Sequence, residues 1–286
     1  MVDIRIGIIG GTGLYDMEGL EEIEEVFVDT PFGKPSDAIV TGRLHGVNVA
    51  FLPRHGRGHK FSPSEIPARA NIYALKSIGV ERIISVSAVG SLREDIRPLD
   101  MVIPNQLIDR TKERVSTFFG DGIVAHVGFA QPFCPSMEEI IYNSAKMMGA
   151  RVHSGGTYVV IEGPQFSTVA ESHMYRSWGA DVIGMTALPE AKLAREAEIC
   201  YSTLACSTDY DCWHESETPV TVEMVVANLN KNTALSKSIL DHVIPMVPKE
   251  RSCDCGSALK DTIISARYII TPEAIERLDL LVGKYF

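Results

Sequence analysis

Basic residues are in deficit in this 286-residue sequence: 27 Lys and Arg stand against 37 Asp and Glu, a formal net charge of −10. Nucleic acids and anionic membrane surfaces select basic faces, so neither is an expected partner. No apolar run is long enough to cross a bilayer. The short apolar stretch at 4–9 runs into glycines rather than a small-residue cleavage site, which argues against a secretory leader and for a cytoplasmic protein. Pro/Gly/Ser-rich linkers, charge blocks, low-complexity segments and internal repeats are also missing. The span 1–286 therefore reads as one domain, with 45% hydrophobic residues to fill its core.

Six cysteines are present: Cys134, Cys200, Cys206, Cys212, Cys253 and Cys255. Reduced and buried cysteines behave as small hydrophobes. Cys253-Asp254-Cys255 differs, because its polar setting does not suit a core role. Zinc sites favour wider Cys-x-x-Cys spacing and need four ligands. With no second clean pair along the chain, no metal is expected. A Cys253–Cys255 disulfide is the alternative if the source is a hyperthermophile.

What is there alternates between two periods. Strand patterns occur at 4–9, 38–42, 47–52, 82–87, 157–161, 181–185 and 199–207. Helical spacing occurs at 66–78, 137–148, 168–178, 189–197 and 221–243, with a weaker helix near 272–282. Gly79, Gly149 and Gly179 supply C-cap signals. Such alternation indicates an α/β fold around a mixed or largely parallel central sheet flanked by helices. Ligands in such folds bind where strands end and loops offer free backbone donors.

Five strand ends carry polar or glycine-rich sequence. Gly10-Gly11-Thr12-Gly13 has Asp16 where a dinucleotide fingerprint needs its third glycine, and it lacks a Walker lysine. An anion nest or a plain tight turn suits it equally. Arg54, His55, Arg57 and His59, spaced by glycines, suit a tetrahedral oxyanion better than a metal, since the glycines disfavour the helix that an i, i+4 histidine pair needs. Ser87-Ala88-Val89-Gly90-Ser91 reads as a small-residue turn. Phe166 and Met185 have the shapes to sandwich a flat base, though core packing explains such residues as readily. Asp209 and Asp211 leave an apolar strand together, where isolated charge is costly. Without a third carboxylate or a histidine partner, they suit hydrogen bonds from an amine better than a metal.

In this order the segments resemble the trimeric purine nucleoside phosphorylase superfamily, and more closely the 5'-methylthioadenosine phosphorylases. The resemblance runs from residue 4 to about 244. Ile6-Gly-Ile-Ile-Gly-Gly-Thr-Gly-Leu14, Asp29-Thr-Pro-Phe-Gly-Lys-Pro-Ser-Asp37, Arg54-His-Gly-Arg57, Gly90-Ser-Leu-Arg-Glu94, Ile161-Glu-Gly-Pro164 and Asp209-Tyr-Asp-Cys-Trp213 carry it. It implies a phosphate site of Thr12, Arg54, His55, Ser87, Ala88 and Thr186. Ser87 stands where animal relatives have Thr. It further implies a nucleoside site of Phe166, Ser167, Ile183, Met185, Thr208, Asp209 and Asp211, with Asp209 and Asp211 as the catalytic pair on the purine N7 and 6-amino edge. Val222 and Val225 would line the 5' pocket, and His126 would reach a neighbouring subunit's site in a trimer or a dimer of trimers. No cofactor is implied; phosphate is a co-substrate. The C-terminal part is similar to archaeal members, and a Cys134–Cys200 disulfide is implied by that analogy. A broad or 6-oxopurine-preferring phosphorylase is the alternative activity.

Overall fold

A computed structural model describes residues 4–11, 14, 16–214 and 222–286, with 222, 224 and 225 described through the helix backbone alone. The chain runs β1 (Ile6–Gly10), β2 (Glu21–Val26), β3 (Ile39–Leu44), β4 (Val47–Pro53), α1 (Ala68–Ser77), β5 (Arg82–Ser91), β6 (Met101–Ile103) and β7 (Gln106–Arg110). It continues α2 (Pro135–Met147), β8 (Val152–Ser154), β9 (Thr157–Ile161), α3 (Val169–Ser177), β10 (Val182–Gly184), α4 (Ala187–Glu196), β11 (Cys200–Asp209), α5 (Val222–Met246) and α6 (Pro272–Val282).

All the strands join one mixed sheet, with the order β2-β3-β4-β1-β5-β10-β9-β7. β11 branches from β5, and β6 and β8 follow it. β5 is the organising strand. It pairs in parallel with β1 through 82–85, in parallel with β11 along most of its length, and antiparallel with β10 at its last two residues.

Side-chain alternation along these strands splits the core into two layers. Ile9 and Ile83 join one apolar cluster with Leu75 of α1, Leu193 of α4 and Leu278 of α6. Their neighbours Ile8 and Ile84 join the other, with Ile141 of α2 and Leu240 of α5. Covered on both faces, β1 and β11 are buried at every position, which is why they read as continuous apolar or small-residue runs. Each fully buried Leu or Ile contributes about 1.5–3 kcal/mol relative to exposure.

The helix stops follow their expected chemistry: Gly79, Gly149 and Gly179 all take positive φ, at +99°, +75° and +79°. β2, β6, β7 and β8 were not anticipated. β6 and β8 are three residues each, too short for a period to show. β2 is Glu21-Glu-Ile-Glu-Glu-Val26, an exposed sheet edge whose charges oppose edge-to-edge association.

Two expectations are corrected. The stretch 88–91 is not a turn: β5 continues through Ser91, because β11 and β10 supply backbone partners to its end. The cysteines form no disulfide. All six are free, so neither Cys253–Cys255 nor Cys134–Cys200 is bonded. Instead the fold gathers Cys134, Cys200, Cys253 and Cys255 into one cluster, a grouping that spacing along the chain does not show. Sequence spacing showed one pair; β11 and the start of α2 bring the other two thiols to it.

Candidate active site

The ends of β1, β4, β5, β9, β10 and β11 meet the N-terminal half of α5 around a cleft of about 560 Å³. Arg54, His55, Ser87, Ala88, Phe166, Ser167, Ile183, Met185, Thr186, Thr208, Asp209 and Asp211 all line it. Thr12 lies outside the described residues, as do the side chains of Val222 and Val225. His126 is exposed and does not line this chain's cleft; its N–H donates to the Thr262 carbonyl, beside the C-terminal segment.

One end of the cleft is built for an anion. Arg54 is 2% exposed and is clamped from behind. Its Nε donates to Glu190 Oε1 at 2.5 Å and its Nη2 to Glu190 Oε2 at 3.1 Å and Ser85 Oγ at 2.7 Å. Its Nη1 donates to the Val86 carbonyl at 3.1 Å. A guanidinium has five N–H groups in a rigid fork. One Nη1 N–H is therefore left without a protein acceptor among the described residues, on a residue that lines the cleft. Beside it, Ser87 Oγ and Thr186 Oγ1 stand 3.0 Å apart, two hydroxyls from different strand ends converging on one spot.

The basic loop does not act as one unit. Arg57 faces Glu25 and Asp37, at 2.7 and 3.2 Å, and anchors the loop rather than facing the cleft. His59 stacks on His55 with ring centroids 4.1 Å apart, and both line the cleft. His55 Nδ1 lies 2.8 Å from the Phe61 carbonyl, to which it donates, leaving Nε2 as an acceptor on the neutral ring. Burial, then the Arg54 charge, hold its pKa down to about 4. Because the unfolded histidine titrates near 6.5, the unfolded chain binds more protons between pH 6.5 and 4. Stability should fall as pH drops through that window. His55→Gln should flatten that part of a curve of Tm against pH, and an unaltered slope would remove His55 as its source.

The other end carries the carboxyls. β11 pairs with β5 in register until a bulge between Ser207 and Asp209, which sets Asp209 opposite Gly90. Such bulges re-aim side chains near sites. Thr208 Oγ1 donates to Asp209 Oδ2 at 2.6 Å, and the Asp211 N–H donates to Oδ1 at 2.8 Å. Burial nevertheless pushes the Asp209 carboxyl above the usual range, outweighing both bonds. Asp211 is raised as well, by burial first and with the Asp209 charge adding to it.

Gly90 makes this placement possible. A Cβ there would lie 2.9 Å from Asp209 Oδ1 and 3.1 Å from Ile183 Cγ2. Gly90→Ala should therefore displace the carboxyl and lower kcat by about 10²-fold, the cost of a misplacement near 1 Å. Ordinary kcat with a displaced Asp209 would show that its position does not matter.

Several contributors were not legible beforehand. Asn228 and Asn232 of α5 donate to the carbonyls of Thr208 and Ser207, at 2.7 and 2.9 Å, docking the helix on the bulge. Val226 and Leu229 then present an apolar wall. Arg114 donates to the carbonyls of Met185 at 2.5 Å and Leu188 at 2.7 Å, and to Ile161 and Glu162, tying the β9 and β10 ends together. Only Val226 had a sequence signal, one helical turn after Val222.

A model of the phosphorylase superfamily matches residues 5–245. The chain is similar to the S-methyl-5'-thioadenosine phosphorylase of Geobacter sulfurreducens, with 56% identity over 98% of each chain. It is similar to that of Koribacter versatilis, with 57% identity over 99% of this chain and 97% of the relative. Among solved structures it resembles a methylthioadenosine phosphorylase sourced from an antarctic soil metagenomic library. There the TM-score is 0.93 and the identity 50%, over 98% of this chain and 99% of the other.

Proposed function

The chain belongs to the phosphorylase superfamily, and we propose that it cleaves 5'-methylthioadenosine with inorganic phosphate to give adenine and 5-methylthioribose 1-phosphate. One observation carries the reading: a phosphate-sized set of donors and a raised carboxyl share one cleft, set by a single strand. Ser87 and Gly90 are three residues apart on β5, about 10 Å at the rise of a strand. That leaves room for a pentose between the Ser87–Thr186 hydroxyls and the Asp209 carboxyl.

Arg54, Ser87, Thr186 and the backbone at Ala88 hold the phosphate, with Thr12 completing the set. Because His55 is neutral with its proton on Nδ1, its Nε2 accepts a hydrogen bond from a protonated phosphate oxygen. The phosphate oxygen forms a bond to C1' while the C1'–N9 bond breaks, with oxocarbenium character on the sugar. The anion stabilises that developing charge, and its fixed position removes the entropic cost of encounter. No protein nucleophile and no cofactor is required.

Phe166 covers the base and Met185 the ribose. Burial disfavours the charged form of Asp209, and a proton carried there passes to N7 so that adenine leaves neutral. Asp211 accepts from the 6-amino group, an arrangement that disfavours a 6-carbonyl. Val226 and Leu229 give the 5' end an apolar wall that suits a methylthio group; such walls reject an added hydroxyl by only about 10², so adenosine is a secondary substrate. The exposed His126 reaches a neighbouring subunit in a homo-oligomer, a trimer or a dimer of trimers, which light scattering would reveal as a multiple of the chain mass.

Methylthioadenosine, adenosine and inosine at matched concentrations, each with and without phosphate, test the proposal. Adenine should appear fastest from methylthioadenosine and only with phosphate. Faster release of hypoxanthine from inosine, or cleavage without phosphate, would overturn it.

A further inference from the structure

Away from the cleft, four thiols meet within the apolar cluster that α2 and α5 cover. Cys134 immediately precedes α2, Cys200 opens β11, and Cys253 and Cys255 flank Asp254 at a 3₁₀ turn over Asp254–Ser257. Cys134, Cys200 and Cys255 are buried and Cys253 is half-buried. Cys253 Sγ is 3.3 Å from Cys200 Sγ and 3.6 Å from Cys134 Sγ, and all four sulfurs lie within 4.8 Å of one another.

We propose that these four cysteines form a structural tetrathiolate site for a thiophilic divalent cation, zinc first among them. Four sulfurs held tetrahedrally at a Zn–S distance of about 2.3 Å stand about 3.8 Å apart. The Cys253 separations of 3.3 and 3.6 Å lie just below that value, and every pair is within 4.8 Å. They are also shared around one centre, with Cys253 close to two different partners, whereas two disulfides would need the sulfurs sorted into two bonded pairs. Thiolate, the ligand form, is favoured for Cys134 by its place at the N-terminus of the 13-residue α2. On binding, the cation forms four Zn–S bonds and the four thiol protons leave to solvent.

The site is closed by four protein ligands, as structural zinc sites are, so it has no open position for substrate. Its role follows from where the ligands sit. Cys134 and Cys200 belong to the sheet-and-helix core, while Cys253 and Cys255 belong to the segment after α5. Metal therefore fastens the C-terminal segment, which carries α6, to the core. The Cys-x-Cys spacing works here because an extended Cys253 (φ −112°, ψ 161°) leads directly into the tight turn that carries Cys255.

The full chain, reduced throughout and desalted without chelator, should carry about one zinc by mass spectrometry of the metal, as a four-ligand site requires. Stripped and refilled with Co²⁺ under anaerobic conditions, it should show the sulfur-to-cobalt charge-transfer and d–d bands of a tetrahedral tetrathiolate. Cys253→Ser/Cys255→Ser should lose both signals and melt at a lower temperature than the zinc-loaded parent. A reduced parent chain that takes up neither zinc nor cobalt would overturn the proposal. So would zinc retained in full by the double variant, or cobalt bands lacking thiolate charge transfer. The cobalt spectrum of the parent keeps the test decisive if the double variant fails to fold.

Discussion

Asp209→Asn should lower kcat toward methylthioadenosine by about 10²–10⁴-fold, the usual worth of a positioned general acid, with a smaller change in KM. The asparagine amide can still donate a hydrogen bond to N7, but it has no proton to transfer, so adenine must leave with charge on its ring. Thr208 and the Asp211 N–H hold the side chain from two sides, so the substitution should preserve its position. The same change should move preference toward 6-oxopurine nucleosides, because the two N–H groups of an amide can serve both N7 and the adjacent 6-carbonyl, whereas a carboxyl that gives its one proton to N7 has no donor left for that carbonyl. Parallel kinetics with methylthioadenosine and inosine decide it. If both substrates turn over as in the parent, Asp209 is neither acid nor specificity element.

Glu190→Ala should destabilise the chain by about 3–5 kcal/mol, the cost of leaving a buried charge without its partner. Both members of the Arg54–Glu190 pair have side chains only 2% exposed. Glu190 also accepts from Tyr201 Oη at 3.0 Å, so its loss strands a second buried donor. For a domain stable by about 5–15 kcal/mol this is a large share, visible as an earlier denaturant midpoint. Inorganic phosphate supplies a diagnostic. An anion at the Arg54 N–H replaces part of the lost charge, so phosphate should raise the midpoint of the variant more than that of the parent. The KM for phosphate should also rise, because Glu190 is what aims the guanidinium. An unshifted midpoint would mean that the pair contributes nothing net to folding.

The two variants bear differently on legibility. Asp209 was readable from sequence because two carboxylates leaving an apolar strand are costly enough to need a reason. Glu190 was not: it sits in an ordinary helical pattern of α4, and only the packing of α4 under β5 and β11 turns it toward Arg54. Likewise, the count of basic residues at 54–59 overstated the anion site. Whether an arginine faces a ligand or a neighbouring carboxylate depends on contacts far along the chain, and Arg57 met Glu25 and Asp37.

By itself the sequence determined the alternation of strands and helices, the capping glycines, the acidic net charge, and the candidacy of Arg54, His55, Asp209 and Asp211 for the cleft. Each of these depends on local periodicity or on a residue type whose chemistry is unusual where it stands. Tertiary structure alone decided what depends on meetings between distant segments. It extended β5 through Gly90 by giving it partners on both sides, and it placed the bulge that aims Asp209. It docked α5 through Asn228 and Asn232. It also converted an isolated Cys-x-Cys into a four-thiol cluster, since the ligands at 134 and 200 become neighbours of 253 and 255 only when the sheet is assembled.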